Sequence, residues 1–254
     1  MNISVEINAI LTVLLLATRM GVLMFATPID AFGRVPSQVK LYLVLALAFL
    51  LVYAIQIPLV EAPASAFGVG LMFVKEVTLG LVMAFGMYTA FAAFMVAGRL
   101  LDFQSGFGAA NLFNPTTNDQ NPLLGTLLSL FATLIFFLSD FHHLLVKGIV
   151  YSISMSPLGE GLSTLSVSEI VSQFGVTFTN GVILVAPVVG LMLFVDAGIA
   201  VMSRTMPQMN VYFLFLPLKV GLGLVLLAVT LPYMFPLIER TIDTSFRFWQ
   251  QALT

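Results

Sequence analysis

Charged residues are scarce along the whole chain, and this scarcity limits what it can fold into. Only 9% of its 254 residues are charged and 59% are apolar, with a mean hydropathy of +1.06. A soluble domain of this length is about one quarter charged. Apolar runs on this scale need lipid or partner subunits to cover them. The composition therefore predicts an all-α integral membrane protein.

Six apolar runs are long enough to cross a bilayer, because a span needs about 20 residues. The third and fourth are longer than a perpendicular span requires, so these helices are expected to tilt or to project beyond the hydrocarbon core. We therefore predict about six long, tilted and partly broken hydrophobic helices. The runs are residues 7–27, 40–57, 70–99, 123–151, 177–202 and a last one from about 211 past 238.

Recognisable catalytic and ligand-binding patterns are absent from the sequence. There is no Cys, and the net charge of −2 does not suggest nucleic-acid binding. No nucleophile elbow, Walker A motif or dinucleotide fingerprint occurs. Asp140, His142 and His143 lie together, but consecutive residues on a helix project about 100° apart, whereas zinc sites use i,i+4 spacing. The sequence predicts no enzyme activity, no cofactor and no metal.

Charges inside or at the ends of the apolar runs need an explanation, since one near mid-membrane costs about 2.5–3.5 kcal/mol. Arg99 and Asp102 are three residues apart and are predicted to be neighbours on one helix face. Lys75 and Glu76 point in different directions and are predicted to pair with other helices or chains. The alternative is that such side chains snorkel from helix ends. The charges are Arg19, Lys75, Glu76, Arg99, Asp102, Asp140, Asp196, Arg204 and Lys219.

Small residues mark one face of the third run. Gly86, Ala90, Ala93 and Ala97 recur at helical spacing, which allows another backbone to approach closely. The pattern indicates that this helix packs on protein along much of its length. Ordinary packing within one chain explains it.

The stretch 105–122 is the most informative segment between helices. It combines turn formers such as Gly106 and Gly108 with the apolar residues Phe107, Leu112 and Phe113. Non-helical backbone at membrane depth is tolerated only where it lines a cavity or is buried in protein. We therefore interpret it as a folded-in gate, plug or selectivity element. The alternative is a surface loop whose Phe residues dip into the lipid interface.

A second interrupted stretch joins the last two apolar runs. Pro207 and Pro217 frame it, and proline kinks or ends a helix. Gln208 and Asn210 can bond the freed backbone groups, and Lys219 follows directly. These residues predict a helical hairpin with a polar, kinked elbow.

Four segments together resemble one known family. They are FMVAGRLLDFQSGFGAANLFNP, NPLLGTLLSLFATLIFFLSDFHHLLVKGI, GLMLFVDAGIAVMSR and RTMPQMNVYFLFLPLKVGLGL. Together they are similar to the FliR family, the R subunit of the flagellar type III secretion export gate, and to its relatives in virulence injectisomes.

The resemblance implies a fold and a function. Residues 1–176 would form a part similar to the P subunit, with a plug loop at 105–122, and residues 177–254 a Q-like helical hairpin. The chain would be a non-enzymatic subunit of the gate, in the bacterial inner membrane at the flagellar basal body. It would line part of the channel for unfolded flagellar proteins. Its partners would be the P and Q subunits, other export-apparatus membrane proteins, the exported substrates and membrane lipid, with no nucleic acid and no cofactor.

The resemblance also assigns expected roles to individual residues. It implies no catalytic and no metal-binding residue. The expected channel plug is Gly106, Phe107, Gly108, Leu112, Phe113 and Pro115. The expected subunit-contact charges are Lys75, Glu76, Arg99, Asp102, Asp196, Arg204 and Lys219. The expected elbow is Pro207, Gln208, Asn210 and Pro217.

The alternative function is an ion-coupled secondary transporter, since broken helices and mid-membrane charges are also typical of transporters.

Overall fold

The computed structural model describes residues 3–29, 35–107, 122–162, 167–205 and 211–253. Within these ranges the secondary structure is helical and contains no strand. The predicted all-α class is confirmed. The helices are α1 (Ile3–Ala26), α2 (Ser37–Ile55), α3 (Ala66–Ser105), α4 (Leu123–Leu138), α5 (Phe141–Met155), α6 (Val167–Thr205) and α7 (Val211–Ala252).

Membrane-spanning helices dominate the fold. Among the described residues, α1, α2, α3, α6 and α7 are long and apolar enough to cross a bilayer, and α4 with α5 adds a sixth if the pair forms one broken span. The prediction of about six spans in an integral membrane protein is confirmed. Helices α3, α6 and α7 have 40, 39 and 42 residues. Each is about 60 Å long, twice the hydrocarbon thickness of about 30 Å.

The fourth apolar run is two helices, not the continuous helix predicted over 123–151. Helix α4 ends at Leu138, and α5 begins at Phe141. Asp140 between them has φ 56°, in the left-handed region. An α-helix cannot continue through such a residue, and Asp tolerates this conformation better than most. The break lies in the short polar stretch SDFHH (139–143), which was not interpreted as a boundary because apolar residues resume after it.

Prolines lie inside the last two helices. Pro187 is within α6, and Pro217, Pro232 and Pro236 are within α7. The prediction that Pro217 belongs to the elbow is therefore wrong, since α7 already begins at Val211. Pro217 is the seventh residue of α7 and lies beyond its first turn, so the helix continues through this proline with one i→i−4 backbone hydrogen bond missing.

The chain divides into two compact units. Unit 1 comprises Met1–Thr89, Asp140–Gln173 and Asp243–Thr254, and unit 2 comprises Ala90–Ser139 and Phe174–Ile242. These units interleave along the chain. They do not coincide with the expected parts 1–176 and 177–254, which stay a prediction about likeness to other subunits.

The core of unit 1 is built around the single tryptophan. Trp249 is 2% exposed, and its Nε1 donates a hydrogen bond of 2.8 Å to the carbonyl oxygen of Met83. A Cβ added at Gly148 would lie 2.5 Å from the indole ring, and one at Gly86 would lie 2.8 Å from Nε1. The two glycines therefore make the space in which the indole is seated.

The core of unit 2 is aromatic and tightly packed. The Phe91 ring makes edge-to-face contacts with Phe94 and Phe136, at centroid distances of 5.9 and 6.3 Å. A Cβ at Gly181 would lie 2.7 Å from the carbonyl oxygen of Ala93, so α6 and α3 approach closely at this point. The small-residue face of α3 permits that approach.

Candidate functional site

Two polar clusters in the apolar helices are the candidate functional features. The first, the Arg19 cluster, consists of Arg19, Glu76, Ser152, Ser156 and Gly159 in unit 1. Arg19 Nε donates to Glu76 Oε2 at 2.6 Å, and Arg19 Nη2 donates to Glu76 Oε1 at 3.0 Å. Both side chains are 0% exposed. This bidentate ion pair joins α1 to α3 and neutralises both charges within the chain.

Further hydrogen bonds surround the buried pair. Arg19 Nη1 donates to Ser152 Oγ at 3.0 Å, and Arg19 Nη2 donates to the Ser156 carbonyl at 3.1 Å. The Gly159 N–H donates to Glu76 Oε1 at 2.7 Å, from a backbone with φ 86°. A buried ion pair is tolerable only when such bonds satisfy the remaining polar groups. The cluster therefore fastens α1, α3, α5 and the turn after α5 together.

Lys75, the neighbour of Glu76, bonds to the same turn after α5. Its Nζ donates to the Gly159 carbonyl oxygen at 3.4 Å. Lys75 and Glu76 therefore both bond to Gly159, and Glu76 alone of the two forms an ion pair among the described residues. Both partners lie within the chain, so no other subunit is needed to supply a counter-charge for Glu76.

The second cluster, the Asp196 cluster, consists of Asp196, Lys219 and Gln104 in unit 2. Lys219 Nζ lies 2.5 Å from Asp196 Oδ1, and Gln104 Nε2 donates to Asp196 Oδ2 at 2.6 Å. The Lys219 side chain is 7% exposed, whereas that of Asp196 is 36% exposed. The pair neutralises the lysine inside the chain and ties α6 to α7, with α3 attached through Gln104.

Arg99 and Asp102 do not form the predicted pair. Arg99 is exposed and makes no ion pair with any residue that the structure describes. The buried Asp102 instead accepts a hydrogen bond of 3.1 Å from the Leu124 N–H at the start of α4. A carboxylate at a helix N-terminus is favourable, because the first N–H groups have no intrahelical acceptors. Asp102 therefore connects the two helices that flank 105–122.

Close backbone contact reinforces this connection. A Cβ at Gly98 would lie 1.9 Å from the Gly125 Cα, a distance that no folded protein tolerates. Gly106 has φ 86°, and a Cβ there would lie 2.7 Å from Leu216 Cδ1. The backbone conformation favours glycine at 106, whereas the Leu216 side chain could move to admit a Cβ. Phe107, the next residue, is half-buried.

The small-residue face of α3 is buried as predicted. Ala90, Ala93 and Ala97 are 2%, 1% and 0% exposed. Gly86 contacts Trp249. Packing within the chain accounts for the whole pattern, which was the simpler of its two interpretations.

Several predicted site residues lie outside the described residues. These are Gly108, Leu112, Phe113 and Pro115 of the expected plug, and Pro207, Gln208 and Asn210 of the expected elbow. Arg204 is described, is exposed, and has no ion-pair partner among the described residues.

The sequence pointed to Arg19 but not to the residues that form hydrogen bonds with Arg19 and Glu76. Ser152, Ser156 and Gly159 are ordinary residues of an apolar region, and only their positions in the fold bring them together. The signal available in the sequence was the closely spaced pair Gly159 and Gly161, which indicates a turn. In the structure both have positive φ, in the turn after α5. Nothing in the sequence, apart from its polar side chain, identified Gln104 as a partner of Asp196.

Chemically, the two clusters hold helices rather than transform a substrate. A guanidinium does not lose its proton in proteins, so Arg19 acts as a fixed charge and hydrogen-bond donor. Both carboxylate oxygens of Glu76 accept hydrogen bonds from Arg19, and Oε1 also accepts one from the Gly159 N–H. The charged groups of the Arg19 cluster are thus held by partners within the chain.

Comparison with known proteins agrees with this picture of a membrane component. A family profile described as bacterial export proteins, family 1, matches residues 10–245. The chain is 30% identical over 183 residues to the flagellar biosynthetic protein FliR of Bacillus subtilis, covering 70% of this chain and 71% of that protein. It is 26% identical over 229 residues to FliR of Escherichia coli, covering 90% and 87%.

A relative from outside flagellar biosynthesis also matches. The Yop proteins translocation protein T of Yersinia pestis is 30% identical over 168 residues, covering 65% of this chain and 64% of that protein. The resemblance to FliR and to its injectisome relatives is confirmed. With nearly its whole length matched by one profile, the chain belongs to the bacterial export proteins of family 1.

Proposed function

We propose that this protein is a non-enzymatic subunit of a flagellar type III protein export gate in the bacterial inner membrane, at the flagellar basal body. The observation that carries the proposal is the family match over residues 10–245. The names of the relatives support it, since they refer to flagellar biosynthesis and to translocation of Yop proteins. The partners would be the P and Q subunits, other export-apparatus membrane proteins and unfolded flagellar substrates.

The apolar surface of α6 and α7 must be covered by lipid or by other subunits. In the most apolar windows of α6 and α7, only 22% and 17% of residues are buried within the chain, against 67% in α3. Phe194 and Tyr233 are 78% and 77% exposed. Contiguous apolar surface needs lipid or a partner to cover it. The exposed charges Arg99 and Arg204 are the most suitable of the predicted subunit-contact residues.

Within this function, residues 105–122 would act as the apolar plug of the channel. The attachment of both flanking helices supports this role. Asp102 accepts from Leu124 N–H, and Gln104 donates to Asp196. A segment fixed at both ends can be displaced by a passing chain and return to the same place. The proposal also includes the P-like part at 1–176, the Q-like hairpin at 177–254 and the elbow around 206–210.

The test of the proposal has two readouts, assembly and leakage. The native mass of the protein, gently extracted from its membrane, should be that of a large particle containing two other small membrane proteins. Deleting residues 106–114 should leave that particle intact and make the membrane leaky to small ions, because an apolar constriction excludes them. A lone chain or a homodimer would contradict the subunit assignment, and unchanged conductance would contradict the plug.

A second variant separates loss of apolar side chains from shortening of the chain. Replacing Phe107, Leu112 and Phe113 by Ser keeps the length and should also raise the ion leak. The matched control is Phe67→Ser, because Phe67 is 81% exposed at the start of α3 and lies outside the stretch. Equal leakage in both variants would contradict the plug. No observation favours the secondary transporter over the export gate.

A further inference from the structure

We propose that Asp140, His142 and His143 form a binding site for a divalent ion of the zinc class. This inference does not depend on the proposed function. The three side chains lie at the start of α5, and each offers one ligand atom. These atoms all lie within 4.8 Å of one another. Imidazole nitrogen and carboxylate oxygen are the ligands, after thiolate sulfur, that zinc takes in proteins.

The geometry overturns the reason for which the sequence excluded a metal. Consecutive Cα–Cβ bonds in the first turn of α5 diverge, but the side-chain conformations of the two histidines bring their rings together. Their ring centroids lie 4.1 Å apart, with 38° between the ring planes. Asp140, with φ 56°, directly precedes α5 and brings its carboxylate to the same side. His142 and His143 therefore converge where helical spacing predicted divergence.

The distances fit a tetrahedral ion with little movement. Bonds of about 2.0–2.1 Å in a tetrahedron place ligand atoms about 3.4 Å apart. His143 Nδ1 lies 3.5 Å from Asp140 Oδ1, which already matches this spacing. The remaining separation of at most 4.8 Å requires the His142 ring to approach by about 1 Å through side-chain rotation.

The exposure of the site leaves a coordination position open. The side chains of His143 and Asp140 are 68% and 73% exposed. Three protein ligands with water in the fourth position is a recognised zinc arrangement. The bound ion would tie Asp140 to the first turn of α5. Binding would be reversible, because exposed ligands exchange readily with water.

The composition of the chain makes the test unusually specific. His142 and His143 are its only histidines, and it has no Cys. The full-length protein, purified in detergent with a tag that holds no histidine, is titrated with Zn²⁺ by calorimetry and with Co²⁺ by absorption. We expect one saturable ion per chain. Removing any one of the three coordinating side chains, by His142→Ala, His143→Ala or Asp140→Asn, should weaken ion binding at least about tenfold.

The matched control is Glu61→Gln, which removes an exposed carboxylate elsewhere in unit 1 and should bind as the unchanged protein does. Absence of saturable binding in the unchanged protein, or equal binding in His142→Ala and Glu61→Gln, would overturn the site. If the alanine variants do not fold, histidine-labelled NMR of the unchanged protein decides the matter. Zinc should shift both ring signals in step, and a shift of one or neither would overturn the proposal.

Discussion

The Arg19 cluster and the Asp196 cluster both neutralise charges within apolar helices, but they differ in how much of the pair the chain itself covers. Arg19 and Glu76 are both 0% exposed, and each side-chain nitrogen and oxygen of the pair makes at least one hydrogen bond. In the other pair Lys219 is 7% exposed and Asp196 is 36% exposed. One cluster is closed, and the other is open on its acidic side.

This difference in cover indicates different uses of the same chemistry. A fully buried ion pair tolerates no change of partner, because an uncompensated charge in a low-dielectric interior is very costly. The Arg19 cluster therefore fixes a permanent arrangement of α1, α3 and α5. The Asp196 cluster keeps one carboxylate accessible, so its contact with Gln104 can be exchanged for another at small cost. It is the better place for an adjustable attachment.

The largest expected effect comes from breaking the closed cluster. Glu76→Ala leaves the Arg19 guanidinium buried without a counter-charge and should cost about 3–5 kcal/mol of folding stability. Thermal unfolding of the purified protein in detergent measures it. The control is the double variant Arg19→Met with Glu76→Leu, which removes both charges and should recover most of the loss. A double variant no more stable than Glu76→Ala would show that packing, not charge, is responsible.

The two sides of the open cluster should respond unequally. Asp196→Ala leaves a buried ammonium without its acceptor and should cost about 1–3 kcal/mol. Lys219→Met leaves a carboxylate that keeps Gln104 and is partly accessible, so its cost should stay below about 1 kcal/mol. The same unfolding measurement compares them. Equal losses, or a larger loss for Lys219→Met, would mean that Asp196 is covered more completely than its exposure indicates.

The smallest expected effect is at the amide that joins α3 to the open cluster. Gln104→Ala removes one charge-assisted hydrogen bond and should cost about 1 kcal/mol. A double-mutant cycle with Asp196→Ala isolates that contact, since the two losses should not add. Strict additivity would show that Gln104 and Asp196 do not interact energetically.

Much of the candidate site could be anticipated residue by residue, but its pairings could not. Asp196 and Lys219 were identified because apolar sequence lies on both sides of each, which demands a partner. That they are partners of each other depends on how α6 and α7 pack. Arg99 and Asp102 met the spacing rule for a helical pair, yet Asp102 bonds to Leu124 because the start of α4 offers unsatisfied N–H groups.

The helices themselves were largely predictable, and their interruptions were less so. Apolar runs of about 20 residues predict spans because lipid accepts only backbone that is bonded internally. The break at Asp140 was missed, and Pro217 was taken for a boundary although it lies within α7. Both errors concern single backbone dihedrals, which hydropathy does not report.

The sequence alone determined the environment and the fold class. Few charges and six long apolar runs require a membrane, and apolar runs of about 20 residues satisfy their backbone there as helices. It also carried the family resemblance, in motifs that span most of the chain. The tertiary structure alone decided that Arg19 meets Glu76 across 57 residues and that His142 and His143 converge. The physical reason is that hydropathy is a property of each residue and its neighbours in the chain. Electrostatic and ligand contacts depend on distances that only packing sets.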